Sequence, residues 1–147
     1  MTPDVNVLVA ALRPDHPHHA VASAWLESAV VEAATGARFT LMPMVVAGYL
    51  RLVTSGKIFA KPTTINNALS AVDKILAEPG VVLATLGAEW PELRELCAAK
   101  NLIGDDVPDA WLAAATAHVG EHLVTFDRDF KKLLPRSHVT VLIAPNN

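Results

Sequence analysis

The chain has 147 residues, of which 52% are hydrophobic and 18% charged, so it can bury a core and is not a disordered segment. Lys plus Arg number 12 against Asp plus Glu 15, a net charge of −3, which excludes a protein that grips nucleic acid by bulk positive charge. The single cysteine, Cys97, excludes an intramolecular disulfide framework and a cysteine-based zinc site.

Taken in chain order, the apolar pattern alternates helices with short strands. Val5 to Leu12 is ambiguous: Val5, Val7 and Val9 alternate like a strand, while Val5, Leu8, Val9 and Leu12 also fit a helix. Ala20 to Ala34 carries a helical stripe, and Phe39 to Met42 reads as a strand ended by Pro43. Met44 to Val53 is a predicted helix, as is Thr63 to Ala77, which Thr63 or Thr64 would cap. Val81 to Ala84 reads as a strand after Pro79-Gly80, and Glu89 to Ala99 as a helix with Trp90, Leu93, Leu96 and Cys97 on its apolar side. Pro108 to Val119 is a helix with Asp106 as cap, Pro108 in its first turn and Gly120 at its end. His122 to Phe126 and Val139 to Ile143 complete the strands.

Strands separated by helices imply an α/β fold, with a parallel sheet between helical layers. Residues 1–147 read as one domain. No apolar run approaches the roughly 20 residues that span a bilayer, and Met1-Thr2-Pro3-Asp4 does not open a signal peptide. A soluble, cytoplasmic protein is the expectation.

Parallel sheets place ligands at the carboxyl ends of their strands. Asp127 follows the predicted strand Leu123 to Phe126, Asp109 lies in the first turn of a helix beside Asp105 and Asp106, and Asp4 opens the chain. Singly, each has an ordinary explanation: a helix cap for Asp4, the helix dipole for Asp109, a turn for Asp127. Gathered in one pocket, they would raise one another's pKa unless a divalent cation held them ionised. Oxygen-only ligands suit Mg²⁺ or Mn²⁺, and the chemistry implied is metal-assisted phosphodiester hydrolysis.

Four segments carry a resemblance: Pro3-Asp4-Val5-Asn6-Val7-Leu8-Val9-Ala10-Ala11, Leu50-Arg51-Leu52-Val53-Thr54, Val107-Pro108-Asp109-Ala110-Trp111-Leu112-Ala113-Ala114-Ala115, and Leu123-Val124-Thr125-Phe126-Asp127-Arg128-Asp129-Phe130. In this order and spacing they resemble PIN-domain ribonucleases, most closely the VapC toxins of prokaryotic VapBC toxin–antitoxin systems. The resemblance implies a PIN-like three-layer α/β/α fold and a toxin that is a Mg²⁺- or Mn²⁺-dependent endoribonuclease. It also implies a VapB-type antitoxin partner and a homodimer. It makes Val5–Leu12 a helix, preceded by a short strand. It places Asp4, Asp109 and Asp127 as catalytic metal ligands, with Asp105, Asp106 and Asp129 as accessory acids and with Asn6 and Thr125 orienting the carboxylates.

One departure stands out. The family usually carries a glutamate where Gly48 stands, in the segment Gly48-Tyr49-Leu50-Arg51. A glycine inside a helix costs about 1 kcal/mol against alanine, so helix stability does not account for it. Either three aspartates suffice, helped by Asp105 or Asp106, or the protein is a weakened nuclease, or a substitution disarms a toxic enzyme. The alternative function is therefore a PIN domain that binds without cutting. Gly48→Glu should raise activity if the missing acid matters.

Arg13, Arg51, Lys57 and Lys61 are candidates for RNA phosphates, and His16, His18 and His19 are loop residues suited to solvent or RNA contact more than to a metal. Trp25, Trp90 and Trp111 fall on apolar stripes and read as core, and Cys97 as buried and inert. An aspartyl-phosphate protein on a similar sheet fits less well, because no D-x-D-x-T motif is present.

Overall fold

Strand β1 is only two residues, Thr2–Pro3, and pairs in parallel with β4, Leu123–Thr125, which pairs in parallel with β5, Val139–Val141. Strands β2, Phe39–Leu41, and β3, Val81–Leu83, form a second parallel pair. In this computed structural model, which describes residues 1–144, the two groups lie side by side: Thr40 N donates to Met1 O at 2.9 Å. The layer therefore runs β3-β2-β1-β4-β5. The seam between β1 and β2 is thin for a chemical reason. Thr2 N and Asp4 N both donate towards β4, so the intervening residue faces β2, and it is Pro3, which has no N–H to give.

Six helices flank this layer in an α/β/α arrangement: α1 Val5–Leu12, α2 His19–Ala34, α3 Pro43–Val53, α4 Ile65–Leu76, α5 Trp90–Lys100 and α6 Asp106–His118. Val5–Leu12 is thus a helix, as the resemblance implied, and all its residues from Val7 to Ala11 are buried. Pro43 occupies the first turn of α3, where its missing N–H costs nothing, and the Thr64 hydroxyl caps α4 at Asn67 N. The other predicted elements end within two residues of their observed bounds. The core joins α1, α2, α3, α4, α6 and the sheet around Tyr49, Phe39, Phe130 and Leu8. In α6 the alanines Ala110, Ala113, Ala114 and Ala115 are buried and let the helix lie close on its neighbours.

Helix α5 departs from expectation. None of its residues is buried, Trp90 is 60% exposed, and Cys97 is only half-buried. Trp111 is also partly exposed. The apolar side of α5 packs chiefly on α6, with Leu96 at the edge of the main core.

Candidate active site

The order β3-β2-β1-β4-β5 reverses direction at β1, because β2 follows on one side and β4 on the other. In parallel sheets the crevice at the carboxyl end of such a switch point is where ligands bind. Asp4 is the first residue past β1, and Asp127 lies two past the end of β4.

Asp4 is buried and fixed from three directions. Its N–H donates to Val124 O at 2.8 Å, its Oδ1 accepts from Val5 N at 2.6 Å, and its Oδ2 accepts from Thr125 Oγ1 at 2.8 Å. The same Thr125 oxygen accepts from Asp127 N at 2.9 Å. One fully buried hydroxyl thus ties the ends of β1 and β4 together and orients two acidic residues. Asp127 Oδ1 accepts from Asp129 N at 2.8 Å and caps the short helical turn Arg128–Lys132. Asp4 and Asp127 therefore also serve as caps.

Asp109 lies in the first turn of α6, half-buried at the mouth of the same crevice. Its carboxyl is pushed up to about 6, first by burial and then by the negative charges of Asp4, Asp127, Asp106 and Asp105. Burial likewise raises Asp4; the bonds from Thr125 and Val5 N oppose this, and the charge of Asp127 adds to it. Among the described residues, none of Asp4, Asp109 and Asp127 makes a salt bridge. Lys132, which feels the charge of Asp127, is itself paired with Asp129 and not with any of the three.

This donor set has the chemistry of a hard divalent cation, which Mg²⁺ satisfies with one or two carboxylates and several retained waters. Among the described residues no three His, Cys, Asp or Glu side chains are disposed to hold a metal ion together.

A cavity of about 540 Å³ opens beside the acids between α3 and α6. Asp4 and Asp109 border it, with Met44, Gly48, Arg51, Leu93 and Trp111 among its walls. On the other side of Asp109 lies a second cavity of about 430 Å³, bordered by Lys100, Asp106, Asp129 and Lys132. Asp129 is exposed and pairs with Lys132 at 2.7 Å, and Asp105 precedes α6 without a capping bond from its side chain. Asp106 is the first residue of α6, so it is not the cap expected of it.

Two candidates fall away. Arg13 is buried: it pairs with both oxygens of Asp15, donates to Lys61 O and Thr63 Oγ1, and lies over the Phe59 ring at 4.0 Å. It braces the loops after α1 and α3 and is not free to meet RNA. Asn6 is exposed and makes no hydrogen bond with the carboxylates among the described residues. Of His16, His18 and His19, all half-buried, His18 lies against the Phe126 ring at 5.0 Å and His19 Nδ1 is within hydrogen-bond distance of Ala10 O at 2.9 Å. Arg51, by contrast, is exposed at the cavity rim.

Two features escaped the sequence. A Cβ built on Gly48 would stand 2.8 Å from Val5 Cγ2, so the glycine permits α3 to press against the start of α1. Glu89 is buried and accepts from Trp111 Nε1 at 2.8 Å and from Gly87 N at 2.6 Å. A glutamate at a helix start ordinarily signals only the dipole, so nothing in the pattern marked it.

A short parallel sheet with acids at the ends of its two central strands is the frame of a PIN domain. The PIN domain family model matches residues 1–133, and the chain belongs to that family. Within it the chain is 36% identical over 139 residues to Ribonuclease VapC31 of Mycobacterium tuberculosis, covering 92% of this chain and 94% of that one. It is 34% identical over 137 residues to Ribonuclease VapC25 of the same organism, with the same coverage of each chain. Its fold also matches a crystal structure of VapBC2 from Rickettsia felis bound to a DNA fragment from their promoter. The TM-score is 0.61 at 19% identity, over 95% of this chain and 96% of that one. The chain is a PIN domain of the VapC group.

Proposed function

We propose that the protein is the toxin of a type II toxin–antitoxin pair and an endoribonuclease that needs Mg²⁺ or Mn²⁺. The observation that carries this reading is the gathering of Asp4, Asp109 and Asp127 at the sheet's switch point with no basic partner among the described residues. The VapC31 and VapC25 relatives, both named as ribonucleases, support it. Nothing in the site favours the alternative of a binding module without catalysis.

Asp4 and Asp109 would hold the cation, with Asp127 completing the anionic wall. Bound there, it would polarise the phosphate and offset the charge that develops during cleavage. Thr125 keeps Asp4 in one orientation, so that the carboxylate needs no rearrangement on binding. Arg51 at the cavity rim and Lys100 and Lys132 across Asp109 supply local positive charge to an acidic protein. Arg128, the residue after Asp127, is exposed at the same end.

The same reading gives the chain a VapB-type antitoxin, supported by the likeness to the VapBC2 structure, and self-association as a homodimer. Exposed Trp90, Ile103 and Val107 around α5 and α6 are apolar surface that a protein partner would cover. Such an enzyme would work in the cytoplasm, and no helix among the described residues is long and apolar enough to cross a membrane. The test is cleavage of purified total RNA with Mg²⁺ or Mn²⁺ by the protein and by Asp4→Asn. Cleavage by the first and not the second is expected; equal cleavage by both would remove the mechanism.

A further inference from the structure

The 540 Å³ cavity lies within the roughly 300–1,000 Å³ of small-ligand pockets, and its walls are mostly apolar. One wall is Trp111, two residues beyond Asp109 on α6 and 38% exposed. Its indole N–H is held by Glu89, a carboxylate that is only 4% exposed and whose second oxygen takes Gly87 N. Burial pushes the Glu89 carboxyl up, but the Trp111 and Gly87 N–H groups outweigh it and hold it below the usual range, so the bond to the indole is charge-assisted. A buried carboxylate is costly to keep. Here it serves to fix the plane of a side chain that stays partly open to solvent. That is not how a tryptophan that merely fills a core is treated.

The opposite wall, on α3, carries Met44 and Gly48 and no acid, so the space in front of Asp4 is neutral on that side. Arg51, three residues beyond Gly48, stands at the rim and makes no salt bridge among the described residues. A fixed aromatic face, apolar walls, one free cation and an anionic cluster at one end match a nucleotide better than an apolar peptide, which would leave Arg51 unanswered.

We propose that this cavity receives an unstacked base of single-stranded RNA, with Trp111 as its stacking face and Glu89 as the positioning residue that sets that face. The inference rests on the reading of the site as RNA-cleaving and names its substrate as single-stranded at this nucleotide. A base in the cavity would place its phosphate beside Arg51 and the acids.

The binding arm of the test needs no divalent cation, and the kinetic arm is run in Mg²⁺ or Mn²⁺. Short homopolymeric RNA oligonucleotides are titrated into the protein in EDTA, and tryptophan fluorescence is read. At least one oligonucleotide should quench the emission. Trp111→Phe should remove the quenching while keeping most of the affinity, Trp90→Phe should leave it intact, and Trp111→Ala should bind about tenfold more weakly. Glu89→Ala should raise KM with kcat within about twofold, and Glu89→Gln, which keeps an acceptor oxygen, should restore KM. Trp111 is partly exposed, so these variants are first checked for an unchanged melting curve. No quenching by any oligonucleotide, or quenching that persists in Trp111→Phe, would overturn the proposal. Cleavage with an unaltered KM in Trp111→Ala would do so while leaving the nuclease reading intact, and quenching without cleavage would do the reverse.

Discussion

On one wall of the crevice, Asp4 and Asp127 are tied to the backbone of two paired strands through a single hydroxyl, that of Thr125. On the facing wall, α3 contributes no carboxylate, and Gly48 presses on Val5. The difference separates two tasks. Charge is concentrated where strand ends and buried hydrogen bonds can hold it still, while the α3 wall sets shape. A wall without a carboxylate therefore leaves the strand-end framework whole. Val5 occupies the approach to Gly48.

The comparison can be broken most sharply at the acids. Asp109→Asn should lower the rate of RNA cleavage by roughly a hundredfold or more, while its melting temperature stays level or rises, because a repelled charge is gone. An unchanged rate would detach α6 from the chemistry. Next comes the hydroxyl between the acids. Thr125→Val leaves Asp4 Oδ2 and Asp127 N without their partner and should cost about 1–3 kcal/mol in denaturant unfolding, with an activity loss of about 10–100-fold. Thr125→Ser should retain most of both.

The α3 wall gives the third prediction. Gly48→Glu should destabilise by about 1–3 kcal/mol, because its Cβ would meet Val5 at 2.8 Å. Adding Val5→Ala should recover part of that loss, and a double-mutant cycle reads the coupling. Activity gained by the glutamate is to be judged only after this packing cost is relieved. Independent, additive effects would show that the two helices do not meet there as described.

The smallest effect is in pH. Asp109 titrates near 6 in the folded state against 3.8 for an ordinary carboxyl, so the folded protein binds the extra proton. Stability from this group is full below about 3.8 and is lost as pH rises through 6. Thermal melts in EDTA should therefore show Asp109→Asn gaining on the unaltered protein between pH 4 and pH 7. Mn²⁺ should stabilise the unaltered protein at pH 7 and Asp109→Asn much less. The opposite slope would mean that Asp109 has a cationic partner.

Much of this was legible in the sequence, and the limits have physical causes. The parallel sheet and most of the helices followed from alternation, caps and strand ends, which are local signals, whereas helix α1 and the grouping of Asp4 with Asp109 and Asp127 came from the family resemblance. Thr125 was legible only through the resemblance, since a threonine inside a strand ordinarily signals no more than strand propensity. Arg13 was not, since a cation in a loop reads as solvated until Asp15, Phe59 and Thr63 are seen around it. The apolar stripe of α5 gave a core helix by pattern, but a stripe does not say what lies opposite, and α5 packs chiefly on α6 with no residue fully buried. Gly48 announced a missing acid; its contact with Val5 spans 43 residues, a separation that periodicity does not encode.

The most direct test of the shared acidic site is an anomalous difference map from a crystal soaked in Mn²⁺. A peak within coordinating distance of both the Asp4 and Asp109 carboxylates is the expected result. Mn²⁺ bound elsewhere on the molecule, with both of those carboxylates bare, would contradict the account.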